Sequence, residues 1–242
     1  MTDDATTPPA FTLNAAGLRL AFRHRPGNGP TIVFLPGYMS DMMGSKAIAL
    51  DDWAAAQGRA MLRLDYAGCG TSEGRFEDGT LASWRDDARI VIEACAPDGP
   101  IILVGSSMGG WLALLLARDL GPRVAGLVGI AAAPDFTHWG FDDAQKAIIQ
   151  REGRLIEPTP YGDQPYVTTR AFWESGEALR LLESEIAIDC PVRLLQGQAD
   201  PDVPWQTALR TAERLRSADV QTLSRPQDIA LLIATVAHLV ES

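Results

Sequence analysis

Gly105-Ser106-Ser107-Met108-Gly109 decides how this chain is read. The apolar run Ile101-Ile102-Leu103-Val104 leads into it, and the helix-like Trp111-Leu112-Ala113-Leu114-Leu115-Leu116-Ala117 follows it. A strand, a G-x-S-x-G turn and a helix in that order form a nucleophile elbow. So tight a turn holds its serine in a strained backbone conformation, with φ above zero and the hydroxyl exposed. Gly105 and Gly109 remove side chains that would strike the neighbouring strands and the helix. The helix start aims unpaired N–H groups at the reacting centre. Ser107 is the candidate nucleophile.

Working outward, short apolar strands alternate with helices. Phe11 to Leu13 and Leu18 to Phe22 predict an antiparallel hairpin, after residues 1–10 that read as unstructured. Strands are expected at Thr31 to Leu35, Ala60 to Leu64, Ile101 to Val104, Val124 to Ile130 and Val192 to Leu195. Helices are expected at Lys46 to Gln57, Leu81 to Cys95, Trp205 to Arg216 and Pro226 to Val240. Such alternation indicates a mostly parallel sheet with helices on both faces, an α/β fold. Residues 135–189 break the rhythm, with helical pieces at Asp142 to Glu152 and Thr169 to Ser184 around the Pro-rich Glu157 to Tyr166. They read as a small helical cap inserted in a single domain spanning 1–242. The cap aromatics Phe136, Trp139, Phe141, Tyr161, Tyr166, Phe172 and Trp173 either line an acyl pocket or fasten the cap to the body.

Composition bounds the partners. A net charge of −10 argues against nucleic acid and anionic membrane surfaces. Cys69, Cys95 and Cys190 are too few and scattered for a disulfide framework, and no C-x-x-C pair suggests zinc. No basic segment followed by an apolar one opens the chain, and no apolar run reaches membrane-spanning length. A cytoplasmic location is expected.

A nucleophilic serine needs oxyanion donors and an oriented base. Met108 follows the nucleophile and supplies one N–H. The second comes from the loop after Leu35. Pro36 has no N–H and Gly37 permits a sharp turn, which leaves Tyr38 as donor. In Gln196-Gly197-Gln198-Ala199-Asp200-Pro201-Asp202, Asp200 is the candidate acid, with Asp202 the alternative. Asp65 to Ser72 reads as a structural loop beside the site. The histidines are His24, His138 and His238. His24 falls in the opening hairpin and His238 on the closing helix. His138, after the strand ending at Ile130, is the candidate base that remains.

Several stretches together carry a resemblance: FLPGYMSDMMGSKA (34–47), RLDYAGCGTSEG (63–74), VGSSMGGWL (104–112), DCPVRLLQG (189–197), DVPW (202–205) and DIALL (228–232). The chain resembles the α/β-hydrolase family, within it the group of palmitoyl-protein thioesterases that also cleave acyl glucuronides, with bacterial relatives. The resemblance implies Ser107 as nucleophile, Asp200 as triad acid, and hydrolysis of small-molecule or acyl-protein esters or thioesters without metal or cofactor. The chain departs from the family pattern in two places. Gln196 stands where relatives carry histidine. Near the end, relatives complete a strand and then turn through a G-D-H-R or S-D-H-R loop. Here Asp219-Val220-Gln221-Thr222 runs straight into Leu223-Ser224-Arg225-Pro226. About eight to ten residues, one strand's worth with the histidine turn, have no counterpart.

Three accounts are open at this point: a shortened chain, a loop left out between Thr222 and Leu223, or a non-catalytic acyl-ligand-binding relative. If the chain is continuous, the expectation is a short last strand with Ser224 capping the closing helix and Pro226 in its first turn. Alternatively the strand is lost, and Val192 to Leu195 becomes an edge.

Overall fold

The computed structural model describes residues 8–159, 165–223 and 228–241. The expected opening hairpin forms as β1 (Ala10–Leu13) and β2 (Arg19–Arg25), antiparallel, with Ala10 opposite Phe22. There follow β3 (Asn28–Leu35), α1 (Ser45–Ala56), β4 (Arg59–Leu64), α2 (Leu81–Cys95), β5 (Ile101–Ser106), α3 (Met108–Leu120) and β6 (Val124–Ile130). After β6 come α4 (Phe136–Trp139), α5 (Asp143–Glu152), β7 (Arg154–Glu157), β8 (Tyr166–Thr169) and α6 (Arg170–Ala178). The chain closes with β9 (Val192–Leu195), α7 (Trp205–Arg214), β10 (Val220–Leu223) and α8 (Ile229–Glu241).

Eight strands form one sheet in the order β1-β2-β4-β3-β5-β6-β9-β10. β2 pairs antiparallel with β4, and every pair from β4 to β10 is parallel. Successive side chains of a strand point to opposite faces. Val33, Leu35, Leu103 and Leu127 therefore pack with α2 and α3, while Ile32, Phe34, Ile102 and Val104 pack with Ala47 and Leu50 of α1 and Leu232 and Val236 of α8. Both faces are covered, so the central strands read as unbroken apolar runs.

The segment between β6 and β9 is not all helical. The two ends of the Pro-rich stretch, Glu157 and Tyr166, face each other in an antiparallel pair that also sets Arg154 opposite Thr169. Tyr161 lies outside the described residues. The helix expected through Ser184 stops at Ala178. The cause is Asp135, whose carboxylate accepts the Leu181 N–H at 2.7 Å and the Leu182 N–H at 2.9 Å and draws the chain back against the end of β6. Asp135 has φ 58° and is buried, and that burial raises its carboxyl pKa. Asp135→Asn keeps a residue that tolerates left-handed backbone but replaces one acceptor with a donor. It should destabilise the fold by about 1–3 kcal/mol, read from the denaturant midpoint.

β10 keeps its place. Thr222 pairs with Leu194 and Leu223 with Leu195, so the two residues are consecutive rungs of one parallel ladder. The short strand is retained, and β9 is not an edge. α7 ends two residues earlier than expected, at Arg214. α8 begins at Ile229 rather than Pro226, with Asp228 accepting the Leu231 N–H at 2.7 Å. The expected roles of Ser224 and Pro226 fall outside the described residues, as do residues 1–7.

Candidate active site

The elbow follows from three backbone contacts and three glycines. Ser107 has φ 54° and ψ −118°, the positive φ expected from the sequence. Its N–H donates to Ile130 at 2.9 Å, and its carbonyl accepts from Gly110 at 2.9 Å and Ala133 at 3.1 Å. The strained residue is thus held by β6 on one side and by α3 on the other. A Cβ on Gly105 would overlap the Gly109 backbone, one on Gly109 the carbonyls of Leu35 and Pro36, and one on Gly110 the Ala132 side chain. Gly109→Ala should cost about 1–3 kcal/mol or prevent folding, because the Leu35–Pro36 backbone it would strike cannot yield. Thermal unfolding of the purified variant measures this.

The loop after β3 comes against this turn. A Cβ on Gly37 would lie 3.4 Å from Ser107 Cβ. Among the described residues, neither the Tyr38 N–H nor the Met108 N–H donates to a backbone carbonyl. As first residue of α3, Met108 has an N–H that the helix itself leaves unpaired. Asp65, at the end of β4, secures the loop by accepting the Met42 N–H at 2.7 Å and the Thr71 N–H at 2.9 Å. Cys69 in the same Gly-rich stretch is buried, and burial pushes its thiol up to about 12, so it is not a reactive thiolate.

Ser107 opens on a cavity of about 470 Å³ at the C-terminal ends of the strands, where α/β folds bind ligands. Phe136, Trp139, Phe141 and Tyr166 line it. The two expectations for the cap aromatics divide here: those four face the cavity, while Phe172 is buried against Tyr38 and Trp84, and Trp173 Nε1 donates to the Thr137 carbonyl. Charged lining groups are Asp41, Lys46, Glu157 and Asp202. Sequence reasoning did not single out Asp41, Lys46 or Glu157. They lie at loop, helix and strand ends whose convergence has no local sequence signal.

The remaining expected residues are less convergent. Asp200 Oδ1 accepts the Asp202 N–H at 3.0 Å and the Val203 N–H at 2.9 Å, which shapes the loop after β9. Asp202 and Val203, not Asp200, line the cavity. Gln196 is buried, and its Nε2 donates to the Val203 carbonyl at 3.1 Å and the Gly197 carbonyl at 3.2 Å. It closes this loop onto β9. His138 lies outside the lining, with Nδ1 3.5 Å from Glu177 Oε2 and its side chain 52% exposed. His24 pairs with Leu62 across the β2–β4 ladder, and His238 is exposed on α8. Among the described residues, no histidine lines the cavity beside Ser107.

Sheet order, elbow and covered faces define an α/β-hydrolase. The family model for alpha/beta hydrolases matches residues 32–240, and the chain belongs to that family. The chain is 37% identical over 235 residues to the human mitochondrial palmitoyl-protein thioesterase ABHD10, covering 92% of this chain and 76% of that protein. It superposes on mouse alpha/beta hydrolase domain-containing protein 10 with TM-score 0.88 at 35% identity, covering 97% of this chain and 99% of the other. A putative hydrolase from Agrobacterium vitis S4 gives TM-score 0.87 at 38% identity, covering 97% and 100%.

These relatives correct the expected cytoplasmic location. The human and mouse proteins are both named as mitochondrial. The free cysteines Cys69, Cys95 and Cys190 do not tell one reducing compartment from another.

Proposed function

We propose that the chain is an ester and thioester hydrolase scaffold in which Ser107 is the acyl-accepting nucleophile and the Met108 and Tyr38 N–H groups stabilise the oxyanion. The observation that carries this reading is the strained Ser107, φ 54°, opening on a cavity lined by Phe136, Trp139, Phe141 and Tyr166 as well as by charged side chains. Palmitoyl-protein thioesterases at 37% identity favour acyl substrates, small-molecule or protein-borne. Asp200 is the acid in this reading. It follows β9, and whatever follows β10 emerges beside it, because the two strands are paired in register. In the family that neighbour is the histidine. Here Leu223 is followed by Ser224-Arg225-Pro226-Gln227-Asp228.

The chemistry then stalls at proton transfer. The Ser107 hydroxyl attacks the acyl carbonyl only as its proton leaves, and a positioned base contributes about 10²–10⁴-fold to that step. A chain without one binds acyl compounds and turns them over slowly. The absence of histidine from the described lining also favours a second reading, an acyl-ligand-binding protein without physiological turnover.

Steady-state hydrolysis of nitrophenyl esters and acyl thioesters, beside equilibrium binding of the matching fatty acid, separates the two. The hydrolase reading expects slow turnover with product matching substrate loss, unchanged in His138→Ala. Binding with no turnover above the buffer rate favours the second reading. Rapid turnover lost in His138→Ala would identify His138 as the base.

A further inference from the structure

Tyr38 joins two structures that are far apart in the chain. Its backbone sits in the loop after β3, where Gly37 meets Ser107. Its phenol reaches the β7–β8 hairpin and donates to the Val167 carbonyl at 2.6 Å, a contact across 129 residues. A side-chain hydrogen bond with Thr168 adds to this, and Thr168 is itself buried. The ring is packed edge-on by Phe76 at 5.1 Å, Phe136 at 6.0 Å and Tyr166 at 6.0 Å. Burial raises the phenol pKa, so the group remains a neutral donor. The following residue, Met39, has φ 53°, a conformation that a non-glycine residue keeps only when its surroundings hold it.

The hairpin also meets the ligand space. Glu157, Tyr166 and Thr168 of the hairpin line the same cavity as Ser107. One strand thus touches the space an acyl group would fill and also holds the residue whose N–H would face the oxyanion.

We propose that Tyr38 is a positioning residue. Through its hydroxyl, the β7–β8 hairpin sets the aim of the Tyr38 N–H at the oxyanion, so that occupancy of the cavity beside β8 is felt at the reacting centre. This rests on the reading of Ser107 as nucleophile and Tyr38 N–H as oxyanion donor. Misaim of an oxyanion donor weakens transition-state stabilisation while leaving ground-state binding nearly unchanged.

The test is phosphonylation of the 242-residue chain by an alkyl fluorophosphonate, whose P=O oxygen takes the oxyanion position. Intact mass over time at several probe concentrations separates the maximal rate from the half-saturating concentration. Tyr38→Phe keeps the ring and removes the donor. It should lower the maximal rate about tenfold and leave the half-saturating concentration within about twofold. Thr168→Val should act in the same direction, and the double variant should lose less than the product of the two. Val236→Ala, in the α8 core and outside the cavity lining, provides a thermally destabilised comparison whose maximal rate should match the parent. A Tyr38→Phe rate equal to the parent's overturns the positioning role and leaves Ser107 standing. A Tyr38→Phe loss matched by Val236→Ala also overturns it, as general destabilisation. Failure of the parent to form any adduct on Ser107 overturns the underlying reading as well.

Discussion

A chain given an additional strand segment and an Asp-His-Arg turn between Thr222 and Leu223 should hydrolyse activated esters about 10³-fold faster, or more, than the 242-residue chain. β10 has four residues, Val220–Leu223, and so spans about 13 Å at ~3.3 Å per residue. It pairs with the whole of β9 and ends level with Leu195. The loop carrying Asp200 begins one residue later, at Gln196 and Gly197. A strand extended by a turn would bring a histidine beside Asp200 and over Ser107, which satisfies the geometry a base requires. The gain should appear in kcat, because the cavity that sets ground-state binding is already present. Asp200→Asn in the extended chain should take back most of the gain, and Asp202→Asn should take back less. A larger loss from Asp202→Asn would move the acid to the residue that lines the cavity.

Ser107→Ala should have very unequal consequences in the two chains. In the extended chain it should remove the whole gain of about 10³-fold. In the 242-residue chain it should cost less than about tenfold in hydrolysis rate. Members of a catalytic unit are grossly non-additive: once one is missing, removing another costs little, and the oxyanion donors and binding supply the residual ~10³–10⁴-fold over water. Steady-state rates for the four proteins form a double-mutant cycle. A large loss in the 242-residue chain would mean that a base is already in place.

The sheet and elbow were legible because their signals are local. Unbroken apolar runs marked strands from Thr31 to Leu35 and from Ile101 to Val104, and the glycines of GSSMG marked the turn. The structure adds the reason for each glycine, in the Gly109 and Leu35 backbone atoms that a side chain would strike. The segment between β6 and β9 was read less well. Its early helix stop depends on Asp135 capturing Leu181 and Leu182, a contact across more than forty residues with no periodic trace. The β7–β8 pair was missed because prolines in Glu157 to Tyr166 speak for a loop, and they do not exclude strands on either side of it. The sequence drew attention to Tyr38 for its backbone N–H and gave no sign of a tether, since Val167 lies 129 residues away. That no histidine stands between Thr222 and Asp228 was plain from the sequence. That β10 survives without the extra residues was an expectation, and the paired rungs at Thr222 and Leu223 bear it out.

On the reading proposed above, Ser107 accepts the acyl group in a cavity with no histidine among its described lining residues. Peptide mapping of the 242-residue chain after prolonged exposure to an alkyl fluorophosphonate tests it most directly. The account predicts one adduct, on the peptide containing Gly105 to Gly109, localised to Ser107, formed slowly and absent in Ser107→Ala. An adduct on another residue, or no adduct on Ser107 after exposure long enough to modify exposed hydroxyls elsewhere, would contradict it.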